Sequence, residues 1–127
     1  MTLESLRALQ TRIREATGPD RELDIAIWDA LDPTETIGPP GPRIESSIAP
    51  PYTTDPDGLG ACVALHNEMF PSGHWARTPD GTFRAFRAGY AHEANPLAND
   101  CLTFLDAIFS AKIAELEAEQ EKEKADV

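Results

Sequence analysis

Apolar positions recur at helical spacing in four blocks along this chain, and one short stretch between the third and fourth alternates instead. Leu3, Leu6, Leu9, Ile13 and Ala16 form the first stripe behind a Thr2 cap, and Gly18-Pro19 supplies a stop. Asp20 can cap a second helix whose face is Leu23, Ala26, Ile27, Ala30 and Leu31. Glu22, Asp24, Asp29 and Asp32 lie mostly off that face, and Pro33 ends the helix. Thr53-Thr54-Asp55-Pro56 offers cap and first-turn chemistry for a third helix through Leu59, Cys62, Val63, His66, Met69 and Phe70, closed by Pro71-Ser72-Gly73. Asn95-Pro96 opens the fourth, which continues through Leu97, Cys101, Phe104, Leu105, Ile108 and Lys112 to Ile113 and Leu116. Beyond Leu116 the tail EAEQEKEKADV has little to bury and is expected to fray.

Thr78-Pro79-Asp80-Gly81-Thr82 places proline at the first turn position and glycine where positive φ is needed, the chemistry of a type I turn with a glycine bulge. It predicts a hairpin of 74–77 and 83–88, with Arg77 facing Phe83 and Trp75 facing Ala85. One face then carries Trp75, Arg77, Phe83, Ala85 and Arg87, and the other His74, Ala76, Arg84 and Phe86. An aromatic residue on each face predicts cover on both sides of the sheet, with Trp75 and Phe86 protected on opposite faces. Between Asp32 and Pro56 the prolines at 33, 39, 40, 42, 50, 51 and 56 predict an extended surface connection, with at most one short strand near 43–48. The fold class expected is α+β: four helices around a small antiparallel sheet of two or three strands, layered α/β/α.

With 127 residues, 41% of them apolar, the chain is long enough for one domain. Its parts read as an N-terminal amphipathic helix (1–18), a central domain (19–112) and a fraying, Glu-rich helical extension (113–127). The formal net charge of −11 disfavours direct binding to nucleic acid or to an anionic membrane. The N-terminus lacks the apolar core of a secretory signal, and no run approaches the ~20 apolar residues of a membrane span, which implies a cytoplasmic protein. Cys62 and Cys101 sit inside apolar helical patterns and are expected to be reduced and buried. The first stripe lies outside the central domain and could find its cover in a second subunit, so that residues 1–17 would mediate a homo-oligomer.

LDIAIWDALDP at 23–33, PPYTTDPDGLGACVAL at 50–65, Trp75 in the hairpin and AHEANPLANDCLTFLDAI at 91–108 follow one another in an order that resembles the phage ABA-sandwich domain family. That family consists of small, largely uncharacterised phage and prophage proteins with a sheet layered between helices. The resemblance covers about residues 20–110 and implies a fold and a phage origin. It brings no catalytic residues and no reaction with it. The first helix and the Glu-rich extension depart from the family pattern.

Chemistry must therefore be sought in the residues themselves. Cys62 and His66 lie four apart and could face one metal with His74, His92 or Cys101, but there is no CxxC or HExxH and both occupy the apolar stripe of their helix. No metal or cofactor is assigned. Asp55 and Asp57 precede a helix and read as capping groups rather than an acid–base pair. Ser72-Gly73-His74 lacks a nucleophile elbow, and Gly58-Leu59-Gly60 lacks the Lys-Ser/Thr ending of a phosphate loop. Trp75 with Arg77 and Arg87 on one sheet face could stack a planar ring and hold an anion.

Three function classes follow, none of them enzymatic. The first is a phage or prophage interaction protein binding a host or phage protein. The second is a module that sequesters a small, nucleotide-like anionic ligand through Trp75, Arg77 and Arg87. The third is an acidic inhibitor of a host nucleic-acid-binding defence enzyme. Mimicry of DNA ranks below ordinary binding, because the acids are spread over different elements instead of forming one continuous surface.

Overall fold

The computed structural model describes residues 2–31, 49–71, 73–87 and 90–125. In chain order these form α1 (Leu3–Glu15), α2 (Arg21–Leu31), α3 (Leu59–Met69), β1 (Trp75–Arg77), β2 (Phe83–Arg87), β3 (Tyr90–Ala94) and α4 (Asp100–Ala125). The class is α+β, with a three-stranded antiparallel sheet in the order β1-β2-β3 packed against helices. The strand expected near 43–48 lies outside the described residues. Among the described residues no helix is long and apolar enough to cross a membrane.

The helix ends show which polar groups won the backbone. Thr2 caps α1 in a reciprocal capping box with Ser5, and Asp20 Oδ1 accepts from Leu23 N at 3.1 Å to open α2. The third helix departs from expectation. Residues 52–58 form consecutive turns, so α3 starts at Leu59 behind Gly58 with no side-chain cap, and Thr53, Asp55 and Asp57 do not cap it. Thr53 is drawn instead into a buried network with α2. The fourth helix also starts late, because Asn99 rather than Asn95 supplies the cap: its Oδ1 accepts from Leu102 N at 2.9 Å. The extension expected to fray continues as helix to Ala125.

The hairpin has the expected register, Trp75 with Ala85 and Arg77 with Phe83, and Gly81 takes the positive φ of 89° that the bulge requires. The third strand is β3, which pairs with β2 from Phe83–Ala94 to Arg87–Tyr90. Register places Trp75, Arg77, Phe83, Ala85, His92 and Ala94 on one face and Ala76, Arg84, Phe86, Ala91 and Glu93 on the other.

Layer order follows from α4. Residues 101–109 of this helix are all buried: Leu102, Phe104, Leu105, Ile108 and Phe109 form its apolar side, and Thr103, Asp106 and Ala107 are covered on the opposite one. One side lies against β2 and β3, while the others receive α1 and α3. A helix buried all round is thus the middle layer, with the sheet on one side and helices beyond it. On the sheet, the face toward α4 buries Phe83, Ala85 and Ala94; on the other, Arg84 and Phe86 are half-buried and Ala76, Ala91 and Glu93 exposed. The substantial protection expected for Trp75 and Phe86 on opposite faces is found only in part: Trp75 is 37% exposed and Phe86 half-buried.

The first stripe also finds its cover within the chain. Leu6, Leu9 and Ile13 are buried against α4, and the seam is fixed by Gln10 Nε2 donating to Asp106 Oδ1 at 2.8 Å and to Ser110 Oγ at 2.7 Å. Arg14 Nε reaches the same carboxylate at 3.0 Å. That stripe is not left open for a second copy, so the reason for expecting an oligomer through residues 1–17 falls away.

Candidate functional site

β1 is the outer strand of the sheet, and α4 meets it mainly through side chains. α4 lies beneath β2 and β3, and the three side chains of β1 are all exposed. Trp75 nevertheless has a firm seat, because its ring centroid lies 4.7 Å from that of Phe104 and 6.3 Å from that of Phe83, and Phe83 and Phe104 stack at 5.0 Å with an interplanar angle of 16°. The indole is therefore held from behind by two buried rings while part of its surface meets solvent.

Arg77 follows two residues later on the same face. Its Nε lies 3.2 Å from Asp100 Oδ2, at the first turn of α4, with the arginine side chain about half exposed. This ion pair ties the overhanging strand to the central helix, and it also occupies the guanidinium that a phosphate would need. Arg87, the third residue expected in the site, ends β2 opposite Tyr90, and its side chain lies outside what is described. Trp75 and Arg77 are thus brought together as expected, and the first of them is open.

The hydrogen-bond phase of the hairpin adds what side-chain reasoning missed. Phe86 N donates to His74 O at 2.9 Å and Thr78 N to Thr82 O at 2.8 Å. Since hydrogen-bonded and non-hydrogen-bonded pairs alternate, His74, Ala76 and Thr78 direct their backbone groups toward β2, and Trp75 and Arg77 direct theirs outward. No described residue pairs with that outer edge. The bend itself is locked by Thr78 Oγ1 and Thr82 N donating to the Asp80 carboxylate; the Thr78 hydroxyl bond, then the Thr82 contacts, hold Asp80 below the usual carboxylate range.

The other polar concentration is buried. Thr53 N and Oγ1 donate to Asp24 Oδ1 at 2.9 and 2.8 Å, Asp20 N donates to Thr53 Oγ1 at 2.8 Å, and Asn99 Nδ2 donates to Thr53 O at 2.9 Å. Arg21 completes the knot by donating to Ala49 O at 2.6 Å and lying 3.5 Å from Asp24 Oδ2. Asp24, expected at the surface, is therefore a core residue that joins α2, the 49–54 turn and the start of α4. Asp24 and Thr53 at the centre of this network are buried and hydrogen-bonded, as a structural clamp requires, while Arg21 at its edge stays half exposed.

Cys62 and Cys101 are free and buried, as expected. Cys62 Sγ donates to Tyr52 O at 3.3 Å and Cys101 Sγ to Thr54 O at 3.5 Å. Hydrogen bonding to the Cys101 thiol, followed by burial, pushes the Cys62 thiol far above its ordinary range. Burial, with a smaller contribution from Cys62, raises the Tyr52 hydroxyl to about 12. These are neutral, packed groups rather than nucleophiles. His66, four residues from Cys62, is buried between the rings of Phe70 and Phe104 with Nδ1 3.2 Å from Asn67 Oδ1. Among the described residues no three histidine, cysteine or acidic side chains converge as a metal site.

Comparison with known proteins adds no relative, since no family model, no curated protein and no solved structure matches the chain.

Proposed function

We propose that this chain is a phage or prophage accessory protein that acts in the cytoplasm of a bacterial host by binding another protein, without catalysis, and that β1 is its contact strand. The phage assignment rests on the sequence resemblance across residues 20–110. The interaction reading rests on one observation: Trp75 is exposed although Phe83 and Phe104 hold its ring in a fixed position. A rigid aromatic ring beside an arginine is the composition of an interface anchor, because binding covers a large apolar area at little cost in side-chain freedom. The same residues could stack a nucleotide-like ligand, but its phosphate would have to displace Asp100 from Arg77. That competition favours a protein partner. The acidic-mimic reading loses a carboxylate from α2, where Asp24 is committed to the core.

Purification of the intact protein from host cells, alongside Trp75→Ala, tests this reading. A protein retained in stoichiometric amount by the parent and lost by the variant is expected. Stoichiometric nucleotide released on heating would contradict it, as would a partner indifferent to Trp75.

A further inference from the structure

We propose that one partner of β1 is a second copy of this chain, the two strands pairing antiparallel about a twofold axis at Ala76 to make one six-stranded sheet. The proposal rests on the reading of β1 as a contact strand and names an occupant for it. Three observations carry it.

The first is the outward direction of the backbone groups of Trp75 and Arg77, set by the hydrogen-bond phase of the hairpin. In a strand pair centred on Ala76, Trp75 would exchange both backbone hydrogen bonds with Arg77 of the other copy, and Arg77 with its Trp75. The phase is the one a two-stranded seam demands, since Ala76, whose own groups serve β2, falls at the non-hydrogen-bonded position on the axis.

The second is side-chain self-complementarity. Directly opposite residues share a face, so each Trp75 ring would meet an Arg77 guanidinium from the other copy, an arrangement favoured by cation–π attraction. On the other face the two Ala76 side chains would meet at the close approach of a non-hydrogen-bonded pair, where a methyl group fits. Both α4 helices would lie on the same side of the joined sheet, centred under β2 and β3 and touching β1 through Phe104 and Asp100, so the outer backbone edge stays clear of them.

The third is charge. A chain of net charge −11 repels its own copy across most of its surface, yet residues 74–87 carry three arginines and one acid, Asp80. With Arg77 paired to Asp100 and Arg84 to Glu93, this stretch is close to neutral, so two acidic copies can approach there at low electrostatic cost. The edge itself has neither lysine nor proline, and only its shortness, three residues, guards it.

A seam this short buries less than the ~1,000 Å² of a stable interface, so the dimer should be concentration-dependent. Sedimentation of the full chain from about 1 μM to about 1 mM reads it, a span covering the affinities of transient contacts. The parent is expected to pass from monomer to dimer. Ala76→Glu is expected to remain monomeric with unchanged circular dichroism and melting temperature. In the monomer, that carboxylate points to solvent beside Arg84; in the dimer it would face its own copy. A parent monomeric throughout, or an Ala76→Glu dimer as tight as the parent's, would overturn the proposal. Should Ala76→Glu fail to fold, amide exchange of the parent decides. Trp75 and Arg77 amides must gain protection with concentration, and rates independent of concentration would overturn the proposal equally. A monomeric parent that still retains a different protein through Trp75 would remove self-pairing alone and leave the interaction reading intact.

Discussion

At the level of single residues, the fold depends on polar atoms that have no water to fall back on. Asp24 is the clearest case. Its carboxylate is buried with Thr53 as its main donor. Thr53→Val keeps the shape but leaves that carboxylate short of a hydroxyl, and should cost about 2 kcal/mol, measured by urea unfolding. Gly58 is fixed by space rather than by φ, since a Cβ there would overlap the carbonyl oxygen of Pro51. Gly58→Ala should therefore cost about 3 kcal/mol by forcing the 51–58 turn apart. The raised Tyr52 and Cys62 groups predict an alkaline limit. Each holds its proton to higher pH in the folded chain than in the unfolded one, so their contribution is complete below the unfolded values and is lost as pH rises past them. Unfolding free energy should be level to about pH 9 and then fall, at up to about 1.4 kcal/mol per pH unit for each group. A level profile to pH ~11 would contradict the burial of both.

Among the elements, α1 and β1 exchange the roles that periodicity suggested for them. A stripe such as Leu6, Leu9 and Ile13 announces that it must be covered, and says nothing about which surface covers it; here α4 does. Ile13→Ala should accordingly cost about 2–5 kcal/mol. The hairpin was legible because proline, aspartate and glycine encode its bend locally, and register follows from the bend. β3 was not legible: Tyr-Ala-His-Glu-Ala has one aromatic residue and no β-branched one, so its strand state comes from pairing with β2. The late start of α3 has a similar cause, since a hydroxyl that can cap a helix can also serve a buried carboxylate 29 residues away, and Thr53 does so. Trp75 was readable as a residue of the hairpin face that also carries Arg77, but its exposure was not, because that depends on how α4 is placed beneath the sheet. The aromatic stack predicts an order: Phe104→Ala, which empties the space between Trp75, Phe83 and His66, should cost about 3–5 kcal/mol, and Trp75→Ala, already open to water, clearly less.

Across the whole molecule, one helix does the work that the sandwich pattern assigns to a sheet. Because α4 is buried on every side through residues 101–109, it takes the sheet on one flank and helices on others, and among the described residues the sheet packs a helix against one face. Three strands laid over a single helix leave an outer strand that the helix meets mainly through side chains. β1 is that strand, and the exposure of Trp75 is a consequence of the architecture. Amide hydrogen exchange resolved residue by residue tests this most directly. In dilute protein, the amides of α4 from 101 to 109 should be the slowest in the molecule, Ala76 should be protected by β2, and Trp75 and Arg77 on either side of it should exchange freely. Slow exchange at Trp75 and Arg77 with fast exchange at Ala76, at every dilution, would mean that the strand faces the other way and that its edge is closed.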